Sequence, residues 1–528
     1  MLVSFTDLWL NKVIYMLNTR VLARHYFTHS RLVKHQIDSF NRFIDEGLQR
    51  VIDEQRIIEL EIPNTYIELG RIRVGYPVVK EADGPQTPLL PSHARLRNLN
   101  YAAPIYLEAT VYDEGKPMEK EIVEIGMLPI MVKSKVCNLS PERIDRVLEF
   151  IYKKKVDSLS YEEKLYLAGE DPVDPGGYFI INGTERAIVT LEDLAPNKVL
   201  LEREEKYGEM VEVAKCFSQR AGYRALIVVE RTKGNLLEVT FPQLPKPIRF
   251  VILMRALGVE SDQDIVEMVS TSPQIMRYML QNIEDPDVSD IQTKEDAIEY
   301  IGKRVAPGQS REYRIQRAEQ VLDQYFLPHL GMEKEARKAK AFFLARMAEL
   351  IFELHLGLRR EDDKDHYANK RLRLAGDLME EIFRVAFLRL IKDVKYQLER
   401  AKMRGRSMKL STAVRSDVLT DRIMHPMATG NWVGGRTGIS QLIDRHNFMS
   451  LISHLRRVVS PLSRSQPHFE ARDLHATHWG RICPSETPEG PNCGLVKNYA
   501  QYAEVSVGVD EKEVISLLPK LGVEMLRG

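Results

Sequence analysis

Three prolines, Pro484, Pro488 and Pro491, crowd one end of the stretch ARDLHATHWGRICPSETPEGPNCGLV, Ala471 to Val496. Each fixes φ and removes a backbone donor, which excludes the run from a helix interior and from a central strand. A stiff loop remains, and it carries a dense set of chemically committed side chains. Arg472 and Arg481 are permanent cations suited to phosphate. His475 and His478 can donate, accept or ligate, and Glu486 and Glu489 stand among the prolines. The rest of the chain reads as scaffold.

His475, His478, Cys483 and Cys493 supply four possible zinc ligands, spaced H-x2-H and C-x9-C. Structural zinc sites use tight C-x2–4-C or H-x3–5-H knuckles. The spacing favours two partly buried histidines and two small apolar thiols, and no metal ligand is assigned.

The same residues carry a family resemblance. HATHWGRICPSETPEGPNCGLVKN resembles the fork segment of the second-largest subunit of multisubunit DNA-directed RNA polymerases, in its archaeal and eukaryotic form. Three upstream blocks resemble that family in its order: GEDPVDPGGYFIINGTERAIV (Gly169 to Val189), DDKDHYANKRLRLAGDL (Asp362 to Leu378) and SQLIDRHNFMSLISHLRRVVSPL (Ser440 to Leu462). Coverage runs from Thr19 to the end and spans the N-terminal half of the family's chain. The pattern is similar to archaeal polymerases whose second subunit is encoded as two chains, with this chain as the first.

The resemblance implies an α+β multidomain fold of mixed helices and antiparallel sheets, with protrusion, lobe and fork domains. Residues 1–18 are an N-terminal extension, 19–195 the first part of the protrusion and 196–363 an inserted lobe. Residues 364–429 return to the protrusion as helices, 430–506 form the fork with two fork loops, and 507–528 begin an external domain completed by another chain.

At 528 residues the chain exceeds one core, so two to four domains are expected. Lysine plus arginine equals aspartate plus glutamate, 75 each, which disfavours a free-standing nucleic-acid binder and leaves binding to local patches. Four scattered cysteines fit a reduced, cytoplasmic protein. The apolar start MLVSFTDLWLNKVIYML is interrupted by Asp7, Asn11 and Lys12, so it reads as a periodic helix and not as a membrane span.

Helical spacing of Val33, Ile37, Phe40, Phe43, Leu48 and Val51 predicts an amphipathic helix over 32–55. Alternating β-rich residues predict strands over 57–80 and 105–132, with a loop at Pro85, Pro88 and Pro91 between them. Asn182-Gly183 predicts a hairpin between Tyr178–Ile181 and Arg186–Thr190. Strands then follow over 198–253, with a turn at Lys233-Gly234-Asn235, and helices to Leu330. Two apolar stripes, Phe343, Met347, Leu350, Leu354 and Met379, Phe383, Phe387, Leu390, Val394, Leu398, predict core helices, the second capped by Asp377.

Lys153–Lys155 reads as a solvated helix end. The basic run Arg400, Lys402, Arg404, Arg406, Lys409 suits either a nucleic-acid channel or another subunit. Gly430 to Thr437 nearly matches a phosphate loop, but Arg436 replaces the lysine, and Met427 to Thr429 reads as a turn with no strand before it. Ser440 to Val459 looks helical and then basic, and Pro461 to Glu470 is a polar loop.

By resemblance, GNWVGGRT is the first fork loop and PLSRSQPHFE the second, where downstream DNA strands separate. Arg464, His468 and Phe469 there suit phosphate contact and base stacking. Gln441, Asp444, His454 and Arg457 match the segment beside nascent RNA, with Arg456, Arg472 and His475 completing the nucleic-acid set. Glu489 and Asn492 match supporting positions near the nucleotide site, where the carboxylate would orient a partner-chain cation.

No catalytic residue or metal is assigned to this chain. Its aspartates Asp362, Asp363 and Asp365 read as solvated, so the Mg2+ of the assembled enzyme is expected on the largest subunit. Expected partners are the second half of the second-largest subunit, the largest and other polymerase subunits, template DNA, the RNA–DNA hybrid and general transcription initiation factors, with no membrane. An assembly scaffold, or a zinc or nucleic-acid binding module, is the alternative.

Overall fold

In the computed structural model, the described residues are 20, 21, 26, 29–81, 84, 86–206, 208–506 and 511–523. The expected helix over 1–17 and Pro85 lie outside them. The chain divides into two compact units: residues 1–191 with 373–528, and residues 192–372. The second unit is thus an insertion within the first. Both mix helices with antiparallel sheet, and no described helix is long and apolar enough to cross a membrane.

In the first unit, strands Ile57–Glu59, Tyr66–Val74, Ala102–Asp113 and Glu121–Pro129 form one antiparallel sheet. Its apolar face is covered by helices, because alternate residues such as Ile67, Leu69, Ile105 and Leu107 are buried. Helix Lys34–Arg42 runs through a π turn, Phe43–Gly47, into helix Leu48–Asp53. Against it packs the long helix Ala375–Met403. The second stripe predicted for the core is buried throughout. Phe40 meets Phe179 at 5.5 Å between ring centroids, Phe43 meets Phe383 at 6.4 Å, and Phe383 stacks on Phe387 at 5.7 Å. These aromatics bind the N-terminal helix, the hairpin and the long helix into one core.

The Asn182-Gly183 hairpin forms as expected, with φ of 49° and 73° at the two turn residues, between strands Phe179–Ile181 and Thr184–Ile188. Its outer strand receives Ser440–Leu442 as a third, pairing Gln441 with Ala187. A second small sheet sets Arg457–Val459 antiparallel to Val496–Asn498 and parallel to the chain at Thr190–Leu191.

The second unit has a five-stranded antiparallel sheet, Val199–Lys206, Glu209–Arg220, Tyr223–Arg231, Leu237–Thr240 and Ile248–Arg249, in sequential order. Helices from Phe250–Ala256 to Arg337–His355 cover it around a separate apolar core.

Several local expectations are corrected. Ser440 opens a strand, because its neighbours pair with the hairpin edge. Met427–Thr429 is the last turn of helix Ser416–Thr429, which tolerates Pro426. Pro88 lies in a short two-stranded ribbon and Pro91 at the first turn of helix Pro91–Leu96, where its missing N–H costs nothing. The long helix begins at Ala375, so Asp377 sits a turn inside and accepts from Leu374 N at 3.0 Å. Asp362 and Asp363 are not simply solvated: they accept backbone N–H groups from Leu201 and from Asp365 and His366, and Asp365 pairs with Lys370 at 3.1 Å.

Candidate functional site

Two strand pairings bring the expected residues together. Gln441 rides the hairpin edge, and Arg457 lies opposite Asn498 in the second small sheet. Helix Phe448–Leu455, opened by the Asn447 side chain accepting from Ser450 N, connects them.

His454, on that helix, is 4% exposed, and both ring nitrogens are committed. Asp444 N–H donates to Nδ1 at 3.2 Å, so the proton sits on Nε2, which donates to Gln441 Oε1 at 3.0 Å. Burial, with the charge of Arg457, lowers its pKa to about 4, and the imidazole is neutral. Gln441 Nε2 donates onward to Gly438 O at 2.9 Å. Asp444 in turn accepts from His446 N and Ser450 Oγ, each at 3.1 Å, and these bonds hold its pKa below the usual carboxylate value.

Arg456 is 8% exposed and donates to Leu32 O and Ala500 O, each at 2.8 Å. It ties the start of the described chain to its end. His454 and Arg456, both expected to face nucleic acid, are buried and engaged within the chain, His454 through both ring nitrogens and Arg456 through both terminal nitrogens. Arg457 differs. It is half-buried, and its guanidinium makes no hydrogen bond or ion pair among the described residues. Burial lowers its pKa against the attraction of Asp444 and Glu486.

The proline-rich run is a closed loop without extended regular structure, as expected. Its neck is pinned where Cys483 N donates to Asn498 O at 2.9 Å, and Thr487 Oγ1 donates to Val496 O and accepts from Gly494 N, both at 2.9 Å. Glu486 accepts from Ser453 Oγ at 2.6 Å and Asn498 Nδ2 at 2.7 Å, fastening the loop to the helix that bears His454.

Two arginines clasp this loop to the polar loop 461–468. Arg464 Nε donates to Asn492 Oδ1 at 2.9 Å, while its Nη1 takes Ser460 O and Leu462 O. Arg472 donates to Pro467 O at 2.6 Å, Pro491 O at 2.8 Å, Cys493 O at 2.7 Å and Gln466 O at 3.3 Å. Arg472, expected to hold phosphate, thus places four of its five N–H groups on backbone carbonyls. His475 caps the turn Ala476–His478 through Nδ1, which accepts from Thr477 N at 3.1 Å, and its ring lies 6.2 Å from that of His478. Among the described residues, no three His, Cys, Asp or Glu side chains are arranged to hold a metal ion.

Glu489 is exposed at the tip of the clasped loop, with no hydrogen bond or ion pair among the described residues. The same stretch also exposes large apolar side chains. Trp479 is 90% exposed and Phe469 76%, and His468, between the clasp residues, holds φ at 41°.

Sequence reasoning missed a charged cluster beneath the hairpin. Arg95 binds Glu170 at 2.8 Å, Glu185 at 2.6 Å and the Tyr178 hydroxyl at 2.7 Å, while Arg445 binds Glu185 at 2.6 Å and Asp174 at 2.8 Å. Burial works against both arginine charges, but the surrounding acids and Tyr178 outweigh it and raise both pKa values. The signal was the set of acids in GEDPVDPGGYFIINGTE beside residues that are otherwise buried. The phosphate-loop lookalike binds differently from a nucleotide cradle: it follows a helix, and Arg436 pairs with Glu381 and donates to Val433 O.

Comparison with known proteins places these residues in a family. A family described as RNA polymerase beta subunit matches residues 31–421, and RNA polymerase Rpb2, domain 3, matches 441–505. DNA-directed RNA polymerase subunit Rpo2N of Halobacterium salinarum is 53% identical over 525 residues, covering 96% of each chain. Subunit Rpo2N of Methanocaldococcus jannaschii is 52% identical over 511 residues, 96% of this chain and 99% of the relative. Subunit Rpo2 of Saccharolobus solfataricus is 50% identical over 498 residues, 94% of this chain and 42% of that longer relative.

Proposed function

The chain belongs to the RNA polymerase beta subunit family, as the N-terminal half of the second-largest subunit, and on that premise we propose that it forms one side of a DNA cleft. The first unit supplies protrusion and fork, the inserted unit is the lobe, and the two fork loops approach the point of strand separation, the RNA–DNA hybrid and the nucleotide site. The observation that carries this reading is Glu489: an exposed, unpartnered carboxylate at the tip of a loop clasped from three sides. Such rigidity is wasted on a solvated charge and suits a group that must meet another chain at a fixed place.

Within that reading the residues divide by chemistry. Arg457 keeps a free guanidinium for phosphate, a contact that positions a strand without reading its sequence. Gln441 and Asp444 present polar edges that neutral His454 holds in register. Arg464, Asn492 and Arg472 fix the two loops to each other. Glu489 orients a cation of a partner chain, because a carboxylate does not bind phosphate itself. In-line attack of an RNA 3′-hydroxyl on an α-phosphate requires clustered metal ligands. Among the described residues no such cluster is gathered, and in this reading the largest subunit holds the Mg2+ and this chain acts only within the complex.

The chain, tagged and recovered from its native extract, should bring down the remaining half of the subunit and the metal-bearing largest subunit in equal amounts. Recovery of the chain alone, with one zinc bound, would replace the polymerase reading by a metal-binding module. In reconstituted enzyme, Glu489→Ala should slow elongation about tenfold, the kinetic equivalent of one charge-assisted hydrogen bond, while assembly is kept. Unchanged elongation and fidelity would reduce the loop to a scaffold.

A further inference from the structure

A second surface of the first unit shares Asn431, Trp432 and Val433 with the first fork loop and otherwise lies apart from the site described above. The long helix Ala375–Met403, the helix Ser416–Thr429 and the loop that follows it border an open groove. Its floor is apolar, with Ile382, Val385, Ala386, Val418 and Val433 among the lining residues, and Val385 is 43% exposed.

Three features mark the groove as a binding surface. Trp432 lines it, is 4% exposed, and its indole Nε1–H has no acceptor among the described residues. A buried donor left unmatched is rare in a finished structure and points to an acceptor supplied from outside. The Arg389 and Arg422 side chains are exposed along the groove with no hydrogen bond or ion pair among the described residues. Arg415, by contrast, is fixed by Asp393, its Nε donating at 2.9 Å.

The charges choose between ligand classes. With Arg415 and Asp393 paired, two free arginines face one free acid, Asp421. A nucleic-acid backbone would meet Asp421 unfavourably and leave the apolar floor unused. A polypeptide with carboxylates and apolar side chains uses every part: salt bridges to Arg389 and Arg422, burial on Val385 and Val418, and a carbonyl or carboxylate for the Trp432 N–H.

We propose that this groove docks a segment of a partner chain in which acidic residues alternate with apolar ones, with Trp432, Arg389 and Arg422 as its anchors. The proposal rests on the polymerase reading only in that the partner is sought within the assembled enzyme.

The test uses reconstituted polymerase carrying the photoreactive residue p-benzoylphenylalanine in place of Asn431, which is exposed at the groove edge. Illumination should crosslink a polypeptide, and mass spectrometry should find Asp or Glu beside apolar residues at the joined segment. Arg389→Glu with Arg422→Glu should lower the yield roughly tenfold by placing like charges together. Both side chains are exposed and unpaired, so folding is spared. Trp432→Phe, which keeps the packing and removes the donor, should lower the yield several-fold. A crosslink to DNA or RNA, a joined segment without carboxylates, or a yield indifferent to the arginine changes overturns the proposal. An enzyme that assembles and transcribes yet gives no crosslink overturns the groove alone and leaves the polymerase reading standing; failure to assemble without any substitution overturns both.

Discussion

His454 holds two neighbours in place through a single neutral ring. Its neutral ring accepts from Asp444 N–H and donates to Gln441, so it sets the register of the two residues that present polar edges. Protonation would turn Nδ1 into a second donor facing the N–H of Asp444. Because the folded-state pKa, about 4, lies below the ordinary 6.5, the unfolded chain binds the proton first as pH falls. Stability is therefore complete above pH 6.5 and is lost progressively down to about 4. His35, lowered to about 3 by burial and the charge of Arg456, adds to the loss in the same direction. Arg457 lowers the His454 pKa and Asp444 opposes it, and both are included in that window. Thermal melts between pH 7.5 and 4.5 should show the midpoint falling. In His454→Gln the fall should shrink, while the midpoint at pH 7.5 is already lower by the equivalent of roughly 2 kcal/mol. An unchanged pH slope in the variant would mean that the ring is charged or solvated in the folded chain.

Elements whose spacing decides their burial were legible from the sequence; elements decided by a distant partner were not. The stripe from Met379 to Leu398 predicts a core helix because six apolar residues at helical spacing have no other use. Ser440–Leu442 looked helical because nothing local announces that the edge of a hairpin far upstream will pair with it. The candidate site divides in the same way. Stiffness of the proline-rich loop followed from Pro484, Pro488 and Pro491, whereas the fate of Arg472 depended on carbonyls of Pro467, Pro491 and Cys493 that only the folded loop gathers. The long helix also depends on a feature its apolar stripe does not reveal. At Gly376 a Cβ would stand 2.0 Å from Ser39 O, and the Gly376 N–H donates to Ser39 Oγ at 2.9 Å. Helix propensity alone favours alanine by about 1 kcal/mol. Contact with backbone outweighs it, because overpacking costs about 1–3 kcal/mol and the neighbour is itself held in a helix. Gly376→Ala should lower the denaturant midpoint; a raised midpoint would show that the two helices can slide apart freely.

At the scale of the molecule, each unit carries its own apolar core, and the inserted unit is fastened at its own ends. Glu192, its first residue, accepts from Tyr367 Oη at 2.7 Å and pairs with Lys370 at 2.8 Å near its last. Ala195 N donates to Asn369 O at 2.8 Å, and Lys198 Nζ reaches Asn369 Oδ1 at 2.6 Å. Burial works against the charge of Lys370, and Glu192 and Asp365 more than offset it, raising its pKa. An insertion whose entry and exit are joined in this way does not need the surrounding chain to hold its ends together. Loop-closure entropy is already met by internal bonds, and the sheet from Val199 to Arg249 pairs only sequential strands, a low-contact-order arrangement that folds from local pieces. A fragment of residues 192–372 should therefore fold alone, with dispersed amide resonances and one cooperative melt. The intact chain should then melt in two steps, one coinciding with that of the fragment. If the fragment were molten while the intact chain melted once, the two cores would be energetically one, and the inserted unit would not be an independent folding unit.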